Sequence, residues 1–192
     1  MVIYFATHNA NKLREIGQMM PDGIELRGLD DLNLHEEIPE TADTIEGNSL
    51  MKTQYVFDKH AVACFGDDTG LEVEALGGEP GVCSARYAGP ANDSKANMAL
   101  LLEKLGDTTN RTARFKTVIT YINEQGEAKQ FTGIAEGKIT HESSGKEGFG
   151  YDPIFIPEGE KRTFAEMSPA EKNAVSHRAK AFKQFIQYLR AQ

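Results

Sequence analysis

Two aspartates, Asp67 and Asp68, stand side by side in the run ACFGDDTGLEVEALGGEPG, just after an apolar stretch from Val62 to Phe65. An aspartate at the end of a strand in an α/β sheet lies where ligands bind. It can hold Mg²⁺ or accept a proton from water. Neighbouring residues on an extended chain point to opposite faces, so the two carboxylates are expected to do different work. The same pair also suits a turn at Thr69-Gly70, a common role for Asp. Glu72 and Glu74 alternate with apolar residues in LEVEAL, which reads as a strand with a wet acidic face rather than a metal cluster.

Three other segments carry chemistry. In ATHNANK, residues 6–12, a strand runs into polar residues and then a helix start. The free N–H groups and the dipole there favour an anion, and Thr7, Asn9 and Lys12 can add donors. Ordinary capping by Asn9 or Asn11 explains the same residues. In GFGYDP, residues 148–153, two glycines flank Phe149 and can expose its ring to stack on a base. A glycine-rich turn that returns Phe149 and Tyr151 to the core is the alternative. In EKNAVSHRAKA, residues 171–181, Lys172, His177 and Arg178 form a basic run. On one continuous helix Lys172 and His177 point about 140° apart. A single site needs a break, with Ser176 as a second cap; otherwise the run is a solvated helix face.

Other signals fail. In SSGKE the positions a P-loop requires are held by Thr140 and Glu147. There is no nucleophile elbow and no paired His/Cys zinc spacing. A net charge of −8 lacks the basic balance of a polynucleotide binder, while a small anion with a local basic pocket or a divalent cation remains compatible. Two cysteines, Cys64 and Cys83, make no disulfide framework, and Cys64 reads as a buried small hydrophobe. The apolar runs are too short to span a bilayer. The N-terminus lacks the marks of a signal peptide, so a cytoplasmic location is expected.

The elements that must position these groups alternate along the chain. Val2–Ala6 is a buried strand, followed by a helix from about Asn11 with Leu13 and Ile16 inward. Residues 24–26 form a second strand, and a helix capped by Asp43 or Thr44 follows, although Gly47 inside it disfavours helix. GGEPG reads as a loop, and Ser94–Leu105 is helical. Arg111–Asn123 alternates as a strand of roughly 40 Å, and NEQGE turns it into a second long strand over 128–141. Residues 154–156 are a short strand. SPAE, residues 168–171, is a capping box with Pro at the first helical position. The last helix is expected to bury Val175, Ala179, Phe182, Ile186 and Leu189. The 192 residues and 40% hydrophobic content suit a single domain, and the pattern is α/β with a mixed sheet.

The blocks THNANK, PETADTIEGNSLMK, GDDTGLEVEALGGEPGVCSARYAG, GFGYDPIF and EMSPAEKNAVSHRAKA together resemble the inosine triphosphate pyrophosphatase family, in the family's order. The resemblance implies an elongated mixed α/β sheet with two lobes and a cleft between them. It implies Mg²⁺-dependent homodimers that hydrolyse ITP, dITP and XTP to the monophosphate and pyrophosphate. Carried over by position, the run Thr7, His8, Asn9, Ala10, Asn11 and Lys12 cradles the triphosphate, joined by Lys52. Glu40 and Asp68 hold the metal, Asp68 is catalytic, and Thr69 lies beside the substrate. Phe149, Gly150, Tyr151, Asp152, Lys172, His177 and Arg178 surround the base and sugar. His8 stands where the family often has Gly; its imidazole either crowds the phosphate loop or adds a donor. Donors from His177 or Arg178 would match the 6-carbonyl of hypoxanthine and xanthine and mismatch adenine, but guanine shares that carbonyl. A Maf-type nucleotide pyrophosphatase and a silent nucleotide sensor are the competing readings.

Overall fold

The computed structural model describes the backbone of all 192 residues and every side chain except that of Asn11. The strands are β1 (Val2–Phe5), β2 (Glu25–Arg27), β3 (Cys64–Val73), β4 (Pro80–Gly81), β5 (Thr112–Ile122), β6 (Ala128–Ile139) and β7 (Phe155–Pro157). The helices are α1 (Ala10–Gly17), α2 (Ile45–His60), α3 (Ser94–Leu105), α4 (Pro169–Val175) and α5 (His177–Arg190). The strands form one mixed sheet in the order β2-β1-β3-β5-β6-β7, with β4 on β3. β1 runs parallel to β2 and β3, whereas β3–β4 and β6–β7 are antiparallel. The expected α/β class with a mixed sheet is therefore observed. No described helix is long and apolar enough to cross a membrane.

The chain packs as two compact units. The first comprises Met1–Asp68, Val118–Phe131 and Ala181–Gln192; the second comprises Thr69–Thr117 and Thr132–Lys180. The first unit has a core of Ile3, Phe5, Phe65, Ile119, Phe182 and Phe185. Within it the Phe5 and Phe65 rings stack at 4.4 Å. The core of the second unit is built from Leu71, Leu101, Leu105, Phe115, Phe155 and Phe164. Cys64 is fully buried, and burial pushes its thiol up to about 12, so it is a core residue without thiolate chemistry at neutral pH.

Three expectations are corrected. No turn occurs at Thr69-Gly70, because β3 runs unbroken from Cys64 to Val73. Leu71 and Glu72 pair with Gly81 and Pro80, and the Thr69 hydroxyl bonds the Thr117 hydroxyl at 2.7 Å. These cross-strand bonds outweigh the local turn preference of Asp and Gly. The loop expected at GGEPG accordingly contributes β4. LEVEAL is strand only as far as Val73, and Glu74–Leu76 is a 3₁₀ turn closed by Gly77 at φ 65°.

The C-terminal helix breaks where a second cap was required. Ser176 has φ −73° and ψ 151°, and its Oγ accepts from the Ala179 N–H at 3.2 Å. The new start resets the helical register. Val175 and Ala179 are only half-buried, and Ala181 and Phe185 join Phe182, Ile186 and Leu189 in the core.

The α4 start matches its sequence signature. Ser168 Oγ accepts from the Glu171 N–H at 3.2 Å, and the Glu171 carboxylate accepts from the Ser168 N–H at 3.0 Å. A helix of 7 residues is too short to hold itself, so the cap matters. Ser168→Ala is expected to cost about 1 kcal/mol, and a thermal melt should register a fall of roughly 2–4 °C.

Candidate functional site

In the first unit the loop between β1 and α1 is organised by its own side chains. Thr7 Oγ1 accepts from the Asn9 N–H at 3.1 Å, and Asn9 Oδ1 accepts from the Lys12 N–H at 3.1 Å. Asn9 therefore caps α1, and Ala10 opens the helix. The side chain of Asn11 lies outside the described residues. His8 Nε2 donates to the Glu36 carbonyl at 2.9 Å, so the imidazole ties this loop to the segment before Glu40.

Lys12 and Lys52 meet the aspartate pair. Lys12 Nζ lies 2.6 Å from Asp67 Oδ1. Lys52 Nζ donates to the Asp67 carbonyl at 2.7 Å, and lies 2.7 Å from Glu40 Oε1 and 3.8 Å from Asp68 Oδ1. Burial alone would lower the Lys52 pKa, but Asp67, Asp68 and Glu40 together raise it, so the ammonium stays charged. Asp67 is 3% exposed and Asp68 15% exposed. Consecutive strand residues thus present one carboxylate to Lys12 and the other toward Lys52.

The packing of α2 on β3 makes this meeting possible. Ser49 Oγ donates to the Gly66 carbonyl at 3.1 Å, and Thr53 Oγ1 donates to the Ser49 carbonyl at 2.8 Å. A Cβ on Gly66 would lie 2.8 Å from Thr53 Oγ1. Gly47, unfavourable for helix, is explained the same way: a Cβ there would lie 2.8 Å from the Ala42 Cβ. The buried Asn48 accepts from the Ala42 N–H at 2.9 Å and steadies the segment that carries Glu40.

Asn48 and Ser49 are the residues that motif reading missed. Asn48, Ser49, Lys52 and Thr53 share one helical face at 3.6-residue spacing. That polar stripe is the signal that could have revealed them.

Among the described residues no three His, Cys, Asp or Glu side chains are grouped to hold a metal. Glu40, 41% exposed, and Asp68 instead share Lys52. Mg²⁺ uses one or two carboxylates and completes its shell with phosphate oxygens and water. The donor set therefore fits an ion that arrives with phosphates, better than a metal held by protein alone.

The second unit encloses a cavity of about 400 Å³, lined by residues that include Thr69, Ser84, Asn97, Phe149, Lys172 and Arg178. Phe149 is 65% exposed. Gly148, at φ 72°, makes this possible, since a Cβ there would fall 2.1 Å from Asp152 Oδ2. That oxygen accepts from the Phe149 N–H at 3.0 Å and from Lys172 Nζ at 2.5 Å. Lys172 Nζ is 4.9 Å and the Arg178 guanidinium 5.6 Å from the centre of the Phe149 ring. The loop thus divides the two readings of its aromatics. Phe149 is displayed, whereas the Tyr151 ring is buried and its hydroxyl donates to the Ser84 carbonyl at 2.7 Å. His177 is buried and stacks on Phe115 at 4.7 Å. The break at Ser176 allows Lys172, His177 and Arg178 to line the same cavity along with Gly150.

Residues 3–188 match the model of the Ham1 family. The chain is 52% identical over 191 residues to the dITP/XTP pyrophosphatase of Flavobacterium johnsoniae, covering 100% of this chain and 99% of the relative. It is 41% identical over 189 residues to that of Bacillus subtilis, covering 97% and 96%. The structure of the Staphylococcus aureus Ham1 protein superposes with a TM-score of 0.95 at 37% identity, covering 100% of this chain and 99% of that one. With a full-length family match and end-to-end relatives, the chain belongs to the Ham1 family.

Proposed function

We propose that the chain hydrolyses dITP, XTP and ITP to the monophosphate and pyrophosphate, clearing deaminated purines from the nucleotide pool. The observation that carries this reading is the end-to-end match to dITP/XTP pyrophosphatases in a chain where Lys12 and Lys52 meet Asp67, Asp68 and Glu40. Fixed ammonium groups beside carboxylates suit a phosphate ester and its metal. An exposed aromatic with cations beside it suits a purine. A purine nucleoside triphosphate presents both chemistries.

In the proposed reaction water attacks the α-phosphorus in line and pyrophosphate leaves. Asp68 orients the water or takes its proton. Lys12 and Lys52 supply positive charge near the leaving group, and Thr7, Asn9 and the N–H groups of the α1 start hold phosphate oxygens. Glu40 and Asp68 would hold Mg²⁺, which when bound neutralises charge developing on the phosphates. In the second unit Phe149 stacks on the base, Thr69 lies beside the substrate, and Lys172, His177 and Arg178 offer donors toward the 6-carbonyl. Asp152 keeps Lys172 and the Phe149 backbone in place. The working assembly is a homodimer in the cytoplasm.

Pyrophosphate release from ITP, XTP, ATP, dTTP and UTP tests the reading. Release is expected from ITP and XTP with Mg²⁺ and should cease with EDTA. Equal turnover of ATP and ITP would sink the 6-carbonyl argument, and preference for dTTP or UTP would favour Maf-type chemistry.

A further inference from the structure

A hydroxyl can donate or accept, and which of the two it does at Thr69 decides what it can hold. Thr69 is half-buried on β3 and lines the cavity of the second unit. So do Leu71 on the same strand and Phe115 on the neighbouring β5. Side chains two positions apart on a strand share a face. Thr117, two positions after Phe115, therefore lies on the sheet face that borders the cavity. Its Oγ1 meets Thr69 Oγ1 at 2.7 Å. Unlike Thr69, Thr117 is fully buried.

Among the described residues this contact is the one hydrogen bond of either hydroxyl. Each oxygen carries one proton and two lone pairs. Were Thr69 the donor, the Thr117 proton would have no acceptor in a place closed to water, and an unmet buried donor is costly. With Thr117 as the donor, its proton is met by Thr69 Oγ1. The lone pairs left unfilled on Thr117 are the lesser cost, since an orphaned donor is rarer in folded proteins than an under-used acceptor. The proton left over is then that of Thr69, the residue that borders the cavity and can turn it toward a ligand.

We propose that Thr117 is a positioning residue that fixes Thr69 as a hydrogen-bond donor to a phosphate or sugar oxygen of the bound nucleotide. The α-phosphate oxygens and the sugar ring oxygen offer lone pairs and no proton, so a hydroxyl held as a donor suits them and one held as an acceptor does not. An oxygen that already receives a proton also donates its own more strongly, because bonds in a chain polarise one another. Thr117 acts through Thr69 rather than on the substrate. The inference rests on the proposal that this cavity receives the nucleotide with Thr69 beside it.

Steady-state kinetics with ITP and Mg²⁺ test it on Thr117→Val, Thr117→Ser, Thr69→Val and the double variant, with a thermal melt of each. Val nearly keeps the shape of Thr and lacks the hydroxyl, whereas Ser keeps the hydroxyl. Thr117→Val is expected to lower kcat/KM by on the order of fivefold, the share of one neutral hydrogen bond. Thr117→Ser should stay close to wild type. Thr69→Val should lose on the order of tenfold, and adding Thr117→Val to it should lower kcat/KM no further, since the hydroxyl that Thr117 orients is gone. A loss in Thr117→Val that Thr117→Ser fails to restore, or that adds to the loss in Thr69→Val, is a packing effect and overturns the proposal. If Thr69→Val is impaired while Thr117→Val matches wild type, the assigned polarity is wrong and the site stands. If Thr69→Val matches wild type, the placement of Thr69 beside the substrate falls and this inference with it.

Discussion

Asp68→Asn should lower kcat for ITP by about 10²–10⁴-fold, the range contributed by a positioned general base, while KM stays within a few-fold of wild type. The amide keeps the shape of the side chain but cannot accept a proton, and it binds a cation poorly. Asp67→Asn should behave differently. Asp67 is 3% exposed and its Oδ1 lies 2.6 Å from Lys12 Nζ. Removing one partner of a buried pair leaves the other charge uncompensated, which costs up to about 3–5 kcal/mol. Lys12 is partly exposed, so the loss belongs at the lower end. The damage of Asp67→Asn is therefore expected in melting temperature and in KM, with saturated turnover less affected. Equal loss of kcat in both variants, each with a wild-type melt, would mean that both carboxylates act on the reacting atoms and that this division is wrong.

Lys52→Met is expected to lower kcat/KM by about 10²–10³-fold, the loss seen when one fixed donor to developing negative charge is removed. It should also destabilise the fold, because Glu40, Asp67 and Asp68 lose their shared cation. The pH dependence has a definite sign. The folded pKa of Lys52 is raised, so its contribution is fully present below the unfolded lysine value of about 10.4. It is lost as pH rises through the folded pKa. The stability gap between wild type and Lys52→Met should thus hold steady from pH 7 to 9 and narrow only above roughly pH 10, as urea melts across pH would show. A gap that closes below pH 9 would show that Lys52 is not held charged by these carboxylates. Lys52→Arg should fail to restore rate, since a planar fork cannot replace a compact ammonium that reaches the Asp67 carbonyl and two carboxylates.

Local rules carried far where the decisive contacts are close in sequence. The α3 bounds, the Ser168 capping box and the Thr44 cap follow from side chains that bond their own neighbours. The break at Ser176 was legible for a related reason. Lys172 and His177 cannot share a site on one continuous helix, and a serine able to cap stood between them. The turn expected at Thr69-Gly70 shows the opposite case. Asp, Thr and Gly favour a turn locally, but Leu71, Glu72 and Thr69 have partners 8 or more residues away along the chain.

The partners of Asp67 and Tyr151 lay beyond local rules. Nothing near Asp67 in the chain shows that Lys12, 55 positions earlier, will meet it. Nothing near Tyr151 shows that its hydroxyl will find a carbonyl 67 positions away. The sequence by itself determined the α/β class, the family, the caps and the residue types able to handle phosphate and a purine. The family follows from the resemblance of the motif blocks; the rest follows from composition, periodicity and short-range bonding, which the chain carries wherever it folds. Only the tertiary structure decided which aspartate is buried against a lysine and which aromatic is displayed. Those outcomes depend on long-range pairing, where burial and the need to satisfy every polar group select one partner among many.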